Sequence, residues 1–299
     1  MEGRQSMKLG LVLEGGAHRT VFSCGVMDAL LDAGIKADYV IGSSAGITYA
    51  ASYVSQQHGR NREMLRRFVK SPRYQGFHHR LNPLNASFYN LKFVFDTIPN
   101  KLLPFDYRTY NQFKGEVIAA VTDMATGEAV YMPVPGDDPK WTVLRATCAL
   151  PLMFRPIKID GKRYADGGVA DSIPFQKALD DGCDKLLVIL TRERDYCKEE
   201  ESVMRYAVRS VKKKYPAYAE KLSQRHFRYN DCIEQIARRE QAGEIYVIAP
   251  EDTLGVKRTD TNLSRLMSLY AQGYAMTMQQ LPQLKQYLQT EEKRQNTNG

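Results

Sequence analysis

Ser44 lies in Gly42-Ser43-Ser44-Ala45-Gly46, where every neighbour is small. A hydroxyl raised on a sharp strand-to-helix turn needs such neighbours, because larger side chains would strike the strand before it or the helix after it. The spacing G-x-S-x-G also puts the hydroxyl at a helix N-terminus, where the dipole favours developing negative charge. A serine so placed can attack an acyl carbon. The same pattern serves equally well as a plain tight turn, so the reading depends on partners elsewhere in the chain.

Two further groups supply partners. Glu14-Gly15-Gly16-Ala17-His18-Arg19 follows an apolar run and opens a helical pattern. Backbone N–H groups in such a loop can converge on an anion. The spacing lacks G-x-G-x-x-G, and no Lys-Ser/Thr pair follows, so neither a dinucleotide nor a P-loop nucleotide site is indicated. With a serine elbow one βα unit later, an oxyanion hole is the better use. The third group is Asp166-Gly167-Gly168, where two glycines permit close backbone approach. A carboxylate whose pKa is raised by burial can accept the serine proton there.

The elements around these groups read as an alternating pattern. Lys8 to Leu13 and Tyr39 to Ile41 are short apolar strands, each followed by a helix, which indicates a parallel sheet. Glu116–Val121 and Glu128–Met132 form a hairpin around Thr126-Gly127, and Asp160-Gly161 closes a second one. Trp141 to Leu150 reads as a helix, Leu186–Leu190 and Glu244–Ile248 as strands, and Leu263–Leu288 as one long amphipathic helix. Residues 71–113, rich in aromatics, Asn and Pro without a clean period, read as a lid or cap insertion outside the core.

At this point a family resemblance emerges. The Gly-rich loop with its arginine, G-x-S-x-G some thirty residues later, and the distant Asp-Gly-Gly resemble the patatin-like phospholipases. Val121-Thr122-Asp123 with Thr126-Gly127-Glu128 is similar to that family's central hairpin. Arg145-Ala146-Thr147-Cys148-Ala149-Leu150-Pro151, with Phe154 and Pro156, is similar to its approach to the aspartate. The likeness runs from about Lys8 to Leu190.

The resemblance implies a three-layer α/β/α fold with a mainly parallel central sheet and a helical C-terminal region. Residues 8–195 would be the core, with 71–113 as lid. Residues 196–290 would be helix-rich and packed on or beside that core, and 291–299 a frayed tail. It also implies a Ser-Asp dyad without histidine, with Ser44 as nucleophile and Asp166 as base. Gly15, Gly16, Ala17 and Arg19 would match the oxyanion loop, Gly42 and Gly46 the elbow, and Gly167 and Gly168 the aspartate turn. No cofactor is implied. The activity implied is that of a lipid-acyl hydrolase of the phospholipase A or esterase type. A soluble carboxylesterase or thioesterase, or a catalytically weak lipid-binding member, are the alternatives. Ala17 and Thr20 stand where the family usually has glycine, and a Cβ at residue 17 disfavours a positive φ.

Composition bounds the rest. The 299 residues are 43% hydrophobic and carry a formal charge of +8. That is enough for a sizeable core, and the charge favours an anionic partner. Five cysteines, an odd number without C-x-x-C spacing, read as reduced thiols in the cytoplasm. The start of the chain lacks the apolar segment of a signal peptide, so any membrane contact is expected to be peripheral. The stretch Met204 to Arg228 carries eight cations against Glu220, with Tyr206, Tyr215, Tyr218 and Phe227 between them. It reads first as a solvated helix face and second as a surface for anionic membrane. No nucleic-acid motif accompanies it. His226 within it reads as a surface histidine, and His78-His79 has no carboxylate at metal-ligand spacing, so no metal is expected.

Overall fold

In the computed structural model, residues 7–83, 85 and 87–290 are described, so the expected frayed tail 291–299 lies outside them. Strand β1 (Leu9–Leu13) is buried at every position. Its residues alternate between two cores, which is why the strand is apolar throughout. Leu9, Leu11 and Leu13 join helices α1 (Val21–Asp32) and α2 (Ala45–Val54) and the late helix α10 (Leu263–Gln279) on one face. Val12 joins α6 (Phe175–Asp180) and α9 (Arg225–Gln241) on the other. The result is helices on both sides of one sheet, the α/β/α arrangement.

The sheet runs β5 (Ile157–Ile159), β6 (Lys162–Asp166), β3 (Glu116–Asp123), β2 (Tyr39–Ser43), β1, β7 (Lys185–Ile189) and β8 (Ile245–Ile248). Strand β4 (Ala129–Pro133) also pairs with β3. Strands β2, β1, β7 and β8 are parallel to their neighbours, so the central part is parallel. The C-terminal strand β8 thus belongs to the same sheet as β1.

Strand β3 positions the site. Its first half pairs in parallel with β2, with Ala120 opposite Ser43. Its second half pairs antiparallel with β6, with Val121 opposite Asp166. Strand β4 pairs with both halves, so it occupies the other edge and leaves β2 and β6 on the same one. The ends of β2 and β6 therefore meet at consecutive register positions. Residues 122 apart in sequence are brought side by side by backbone pairing alone.

Several local expectations are corrected. The long helix over 263–288 is two, α10 and α11 (Leu281–Gln289), because Pro282 cannot continue a helix and instead starts the second one. The helix over 141–150 is only α5 (Thr142–Thr147), since Trp141 adopts a left-handed conformation and Pro151 follows. Segment 71–113 packs Tyr74, Phe93, Ile98 and Phe105 into the main core, around a π-helix over Phe93–Leu102. Its aromatics lack a period because this irregular chain buries side chains from several faces.

Candidate active site

Ser44 joins β2 to α2 with φ +53° and ψ −130°, a conformation that costs an L-residue of order 1–3 kcal/mol. Hydrogen bonds from its N–H and its hydroxyl hold it. Its N–H donates to Thr147 Oγ1 at 2.8 Å, and that fully buried hydroxyl donates in turn to Ala120 O on β3 at 2.5 Å. Its own hydroxyl donates to Asp166 Oδ2 at 2.9 Å.

Asp166 ends β6 and is only 3% exposed. Burial raises its pKa above the usual carboxylate value, against the pull of Arg225, the Gly168 N–H and the Ser44 hydroxyl. The Gly168 N–H donates to Asp166 Oδ1 at 2.8 Å and fixes the carboxylate plane. Gly167 must lack a side chain, since a Cβ there would lie 2.0 Å from Ala120 O. A carboxylate kept basic by burial and aimed at a serine can take its proton as the oxygen attacks.

The loop after β1 passes over this pair. A Cβ on Gly46 would lie 2.7 Å from Glu14 O, and one on Gly15 would lie 2.9 Å from Ser43 O, so loop and elbow approach too closely for side chains. Buried Glu14 anchors the loop by accepting from Thr191 N–H at 2.6 Å and from the Tyr229 hydroxyl at 2.9 Å. Among the described residues, the N–H groups of Gly16 and Ala17 have no hydrogen-bond acceptor. These are the donors an oxyanion hole requires. Contrary to expectation, Ala17 does take a positive φ, +49°. The anchored loop and the 3₁₀ turn Ala17–Thr20 impose it, at a cost of about 1–2 kcal/mol for a residue with a Cβ. Thr20 is fully buried just before α1.

His18 is buried in the cavity wall. Its Nδ1–H donates to Asp260 O at 2.6 Å, and Nε2 accepts from the Tyr89 hydroxyl at 3.3 Å. Burial lowers its pKa to about 4, so it is a neutral packing group. The cavity holding Ser44 and Asp166 is about 380 Å³, within the range of ligand pockets. Apolar side chains such as Met64, Phe95, Ile98 and Leu144 line it, together with Arg19, Lys198, Arg225 and Arg258.

The profile of patatin-like phospholipases matches residues 11–179, more than half of the chain. The chain belongs to the patatin-like phospholipase family. Residues 215–289 match a second profile, a domain family of unknown function. YjjU of Escherichia coli K12 is 27% identical over 204 residues, covering 62% of this chain and 53% of that one. The NTE family protein Rv1063c of Mycobacterium tuberculosis is 26% identical over 177 residues, 58% of this chain and 46% of that protein. Lysophospholipase NTE1 of Mycosarcoma maydis is 28% identical over 188 residues, 58% of this chain but 9% of that protein. The chain thus spans about half the length of its bacterial relatives. VipD of Legionella pneumophila shares the fold at a TM-score of 0.54 and 15% identity, over 93% of this chain and 67% of that one.

In this patatin-like fold, the residues read from the sequence converge. Ser44, Asp166, Gly15, Gly16, Ala17 and Arg19 all face one cavity or its rim. His226 does not line that cavity, and its ring packs against Phe227. The basic stretch over 204–228 is not one solvated face. It comprises the end of α7 (Ser202–Lys212), then α8 (Pro216–Ser223) and the start of α9, because Pro216 opens a new helix. Arg225 turns inward, its Nε donating to Gly168 O at 2.5 Å, and Arg228 Nη2 donates to Val169 O at 2.8 Å. Lys212, Lys213 and Lys214 remain exposed.

Sequence reasoning gave no role to Thr147, Glu14, Lys198 or Tyr229. Thr147 lies within a stretch already noted for its likeness to the family, which was the available signal. Lys198 and Tyr229 are brought to the site only by the packing of the C-terminal segment. Among the described residues, no cluster of metal-ligating side chains occurs, and no helix is long and apolar enough to cross a membrane.

Proposed function

We propose that this chain is a serine lipid-acyl hydrolase of the phospholipase A or esterase type, with Ser44 as nucleophile and Asp166 as its base. The observation that carries this reading is the 2.9 Å bond from the Ser44 hydroxyl to a buried carboxylate in a cavity with a large apolar wall. Ser44 Oγ attacks the ester carbonyl as its proton passes to Asp166, and the carbonyl oxygen becomes an anion held by the Gly16 and Ala17 N–H groups. Collapse expels the alcohol, which takes the proton from Asp166 and leaves an acyl-serine. Water, deprotonated by the same carboxylate, releases the fatty acid and restores the hydroxyl.

A lipid substrate agrees with the apolar wall of the cavity, and its rim suits a bilayer surface. Phe77 and Val203 line the cavity yet are 69% and 48% exposed. Tyr206 and Phe227 are exposed too, as are Lys212, Lys213 and Lys214. Exposed apolar groups and exposed cations together fit peripheral adsorption to an anionic membrane from the cytoplasmic side.

The test is a panel of lysophospholipids, diacylphospholipid vesicles and short p-nitrophenyl esters, with wild type beside Ser44→Ala, Ser43→Ala and His226→Ala. Ser44→Ala is expected to lose several orders of magnitude in kcat, while the other two retain most activity. Preference for short soluble esters over every lipid would instead favour a carboxylesterase or thioesterase. A well-folded protein inactive on the whole panel would favour a lipid-binding member.

A further inference from the structure

The cavity carries more positive charge than hydrolysis of an ester requires. Besides Arg60, tied to Leu103 O at 2.9 Å, its lining includes Arg19, Lys198, Arg225 and Arg258, and Arg192 adds like charge beside Arg19. Four carboxylates face these five cations, namely Glu14, Asp166, Glu193 and Glu201, and each is already engaged, Glu193 by the Thr253 N–H and hydroxyl. Glu201 grips Arg258 through both oxygens, at 2.7 and 3.0 Å. Glu14 and Asp166 are held by the bonds described above.

Lys198 is the telling residue. It is 7% exposed and lines the cavity. Its Nζ lies 4.2 Å from the Tyr229 ring centroid and 5.6 Å from that of Tyr196, and it has no hydrogen bond or ion pair among the described residues. Both backbone polar groups of Lys198 are pinned by the Asn230 amide, at 2.8 and 3.1 Å. The backbone from which this side chain springs is therefore fixed at the cavity wall. Arg19 Nε is buried without a partner. Unpaired buried cations are costly, and an anionic ligand is what compensates them. A phosphate monoester, with a charge of about −1.5 to −2 at neutral pH, is a ligand of that kind.

We propose that Lys198, Arg225 and Arg258 form an anion site that holds the phosphate of a lipid phosphate monoester whose acyl ester faces Ser44. The binding half stands on the cavity alone, and the placing of the ester rests on the hydrolase reading above. All three residues lie outside the matched catalytic segment 11–179, and Arg225 and Arg258 fall in the C-terminal domain of unknown function. That domain's role here is to select the headgroup.

Burial and the surrounding cations lower the Lys198 pKa to about 7. The groups facing it are Arg19, Arg225 and Arg258 as cations, Glu14 and Glu201 as anions, and the phenols Tyr196 and Tyr229. A bound phosphate adds negative charge to this set and restores the ammonium. Binding above neutral pH is therefore accompanied by proton uptake at Lys198.

The test uses full-length Ser44→Ala protein titrated by calorimetry with dodecyl phosphate, dodecyl maltoside and inorganic phosphate. Dodecyl phosphate is expected to bind at least about tenfold tighter than either of the others. At pH 8, its binding heat is expected to vary with buffer ionisation enthalpy, reporting proton uptake. Adding Lys198→Met is expected to weaken dodecyl phosphate about tenfold, abolish the proton uptake and leave dodecyl maltoside unchanged, while Lys198→Arg restores the affinity. Equal affinity for dodecyl maltoside, or indifference to Lys198→Met, overturns the anion site. Inorganic phosphate binding as tightly as dodecyl phosphate overturns the lipid assignment. Fluorophosphonate labelling of the wild type separates the two readings. A labelled Ser44 without headgroup discrimination removes the anion site alone, and tight dodecyl phosphate binding with an inert Ser44 leaves the anion site standing without the hydrolase.

Discussion

Thr147→Val removes one buried oxygen and keeps nearly the same shape. In the folded protein, that oxygen accepts from Ser44 N–H at 2.8 Å and donates to Ala120 O at 2.5 Å, with the side chain fully buried. Valine leaves both backbone groups unsatisfied, at roughly 1–3 kcal/mol each. The expected loss is therefore about 2–6 kcal/mol, a large share of the roughly 5–15 kcal/mol that holds an ordinary domain together. The lost bond to Ser44 also releases a residue held at φ +53°, so the hydroxyl loses its aim at Asp166. Urea unfolding should show a lower midpoint at unchanged slope, and fluorophosphonate labelling of folded Thr147→Val should be slow. Thr147→Ser keeps the hydroxyl and loses one methyl, for about 1 kcal/mol, and should label normally. A Thr147→Val protein within about 0.5 kcal/mol of wild type, a change typical of unremarkable surface sites, would refute this reasoning. So would Thr147→Ser doing equal damage.

Three further outcomes are expected. Arg225→Gln removes a cation that holds the Asp166 pKa down, so that pKa rises further. A base must be ionised, so the acid limb of kcat/KM should move to higher pH, and Arg225→Lys should return it. His18 has a folded pKa near 4 against 6.5 unfolded, so below pH 6.5 the unfolded state binds a proton that the folded state refuses. Stability should fall as pH drops from 6.5 to 4, by about 3 kcal/mol from this residue, and the pH slope of urea midpoints should flatten in His18→Gln. Changing exposed Lys212, Lys213 and Lys214 together to Gln should lower co-sedimentation with anionic vesicles, at about 1 kcal/mol per lysine. Turnover of a soluble short-chain ester should not change, and identical vesicle curves would return these lysines to a solvated face.

The parts of the molecule legible in the sequence are those set by local rules. Small residues around Ser44, the Gly-rich turn after β1 and the Asp-Gly-Gly turn each declare a close backbone approach, and the structure brings all three together. Their proximity was not written locally, because it follows from β2 and β6 sharing an edge of β3. Over 263–288 the apolar period runs straight through Pro282 and hides the break between two helices, and residues 71–113 show no period because irregular chain buries side chains from several faces. The charge run over 204–228 illustrates the same limit. Its composition is visible, but the turn of Arg225 toward Gly168 depends on how α9 packs. The left-handed Ala17 runs against its own side chain and is held by tertiary contacts of the loop.

The central claim is that Asp166 activates Ser44 without a histidine. The most direct measurement is the second-order rate of fluorophosphonate labelling, with the labelled residue located by mass spectrometry. It is made on wild type, Asp166→Asn and His226→Ala, each first shown to be folded. The account predicts a single adduct on Ser44, loss of labelling by orders of magnitude in Asp166→Asn, and a near wild-type rate in His226→Ala. An adduct on Ser43, or a rate that survives Asp166→Asn and collapses in His226→Ala, would contradict it.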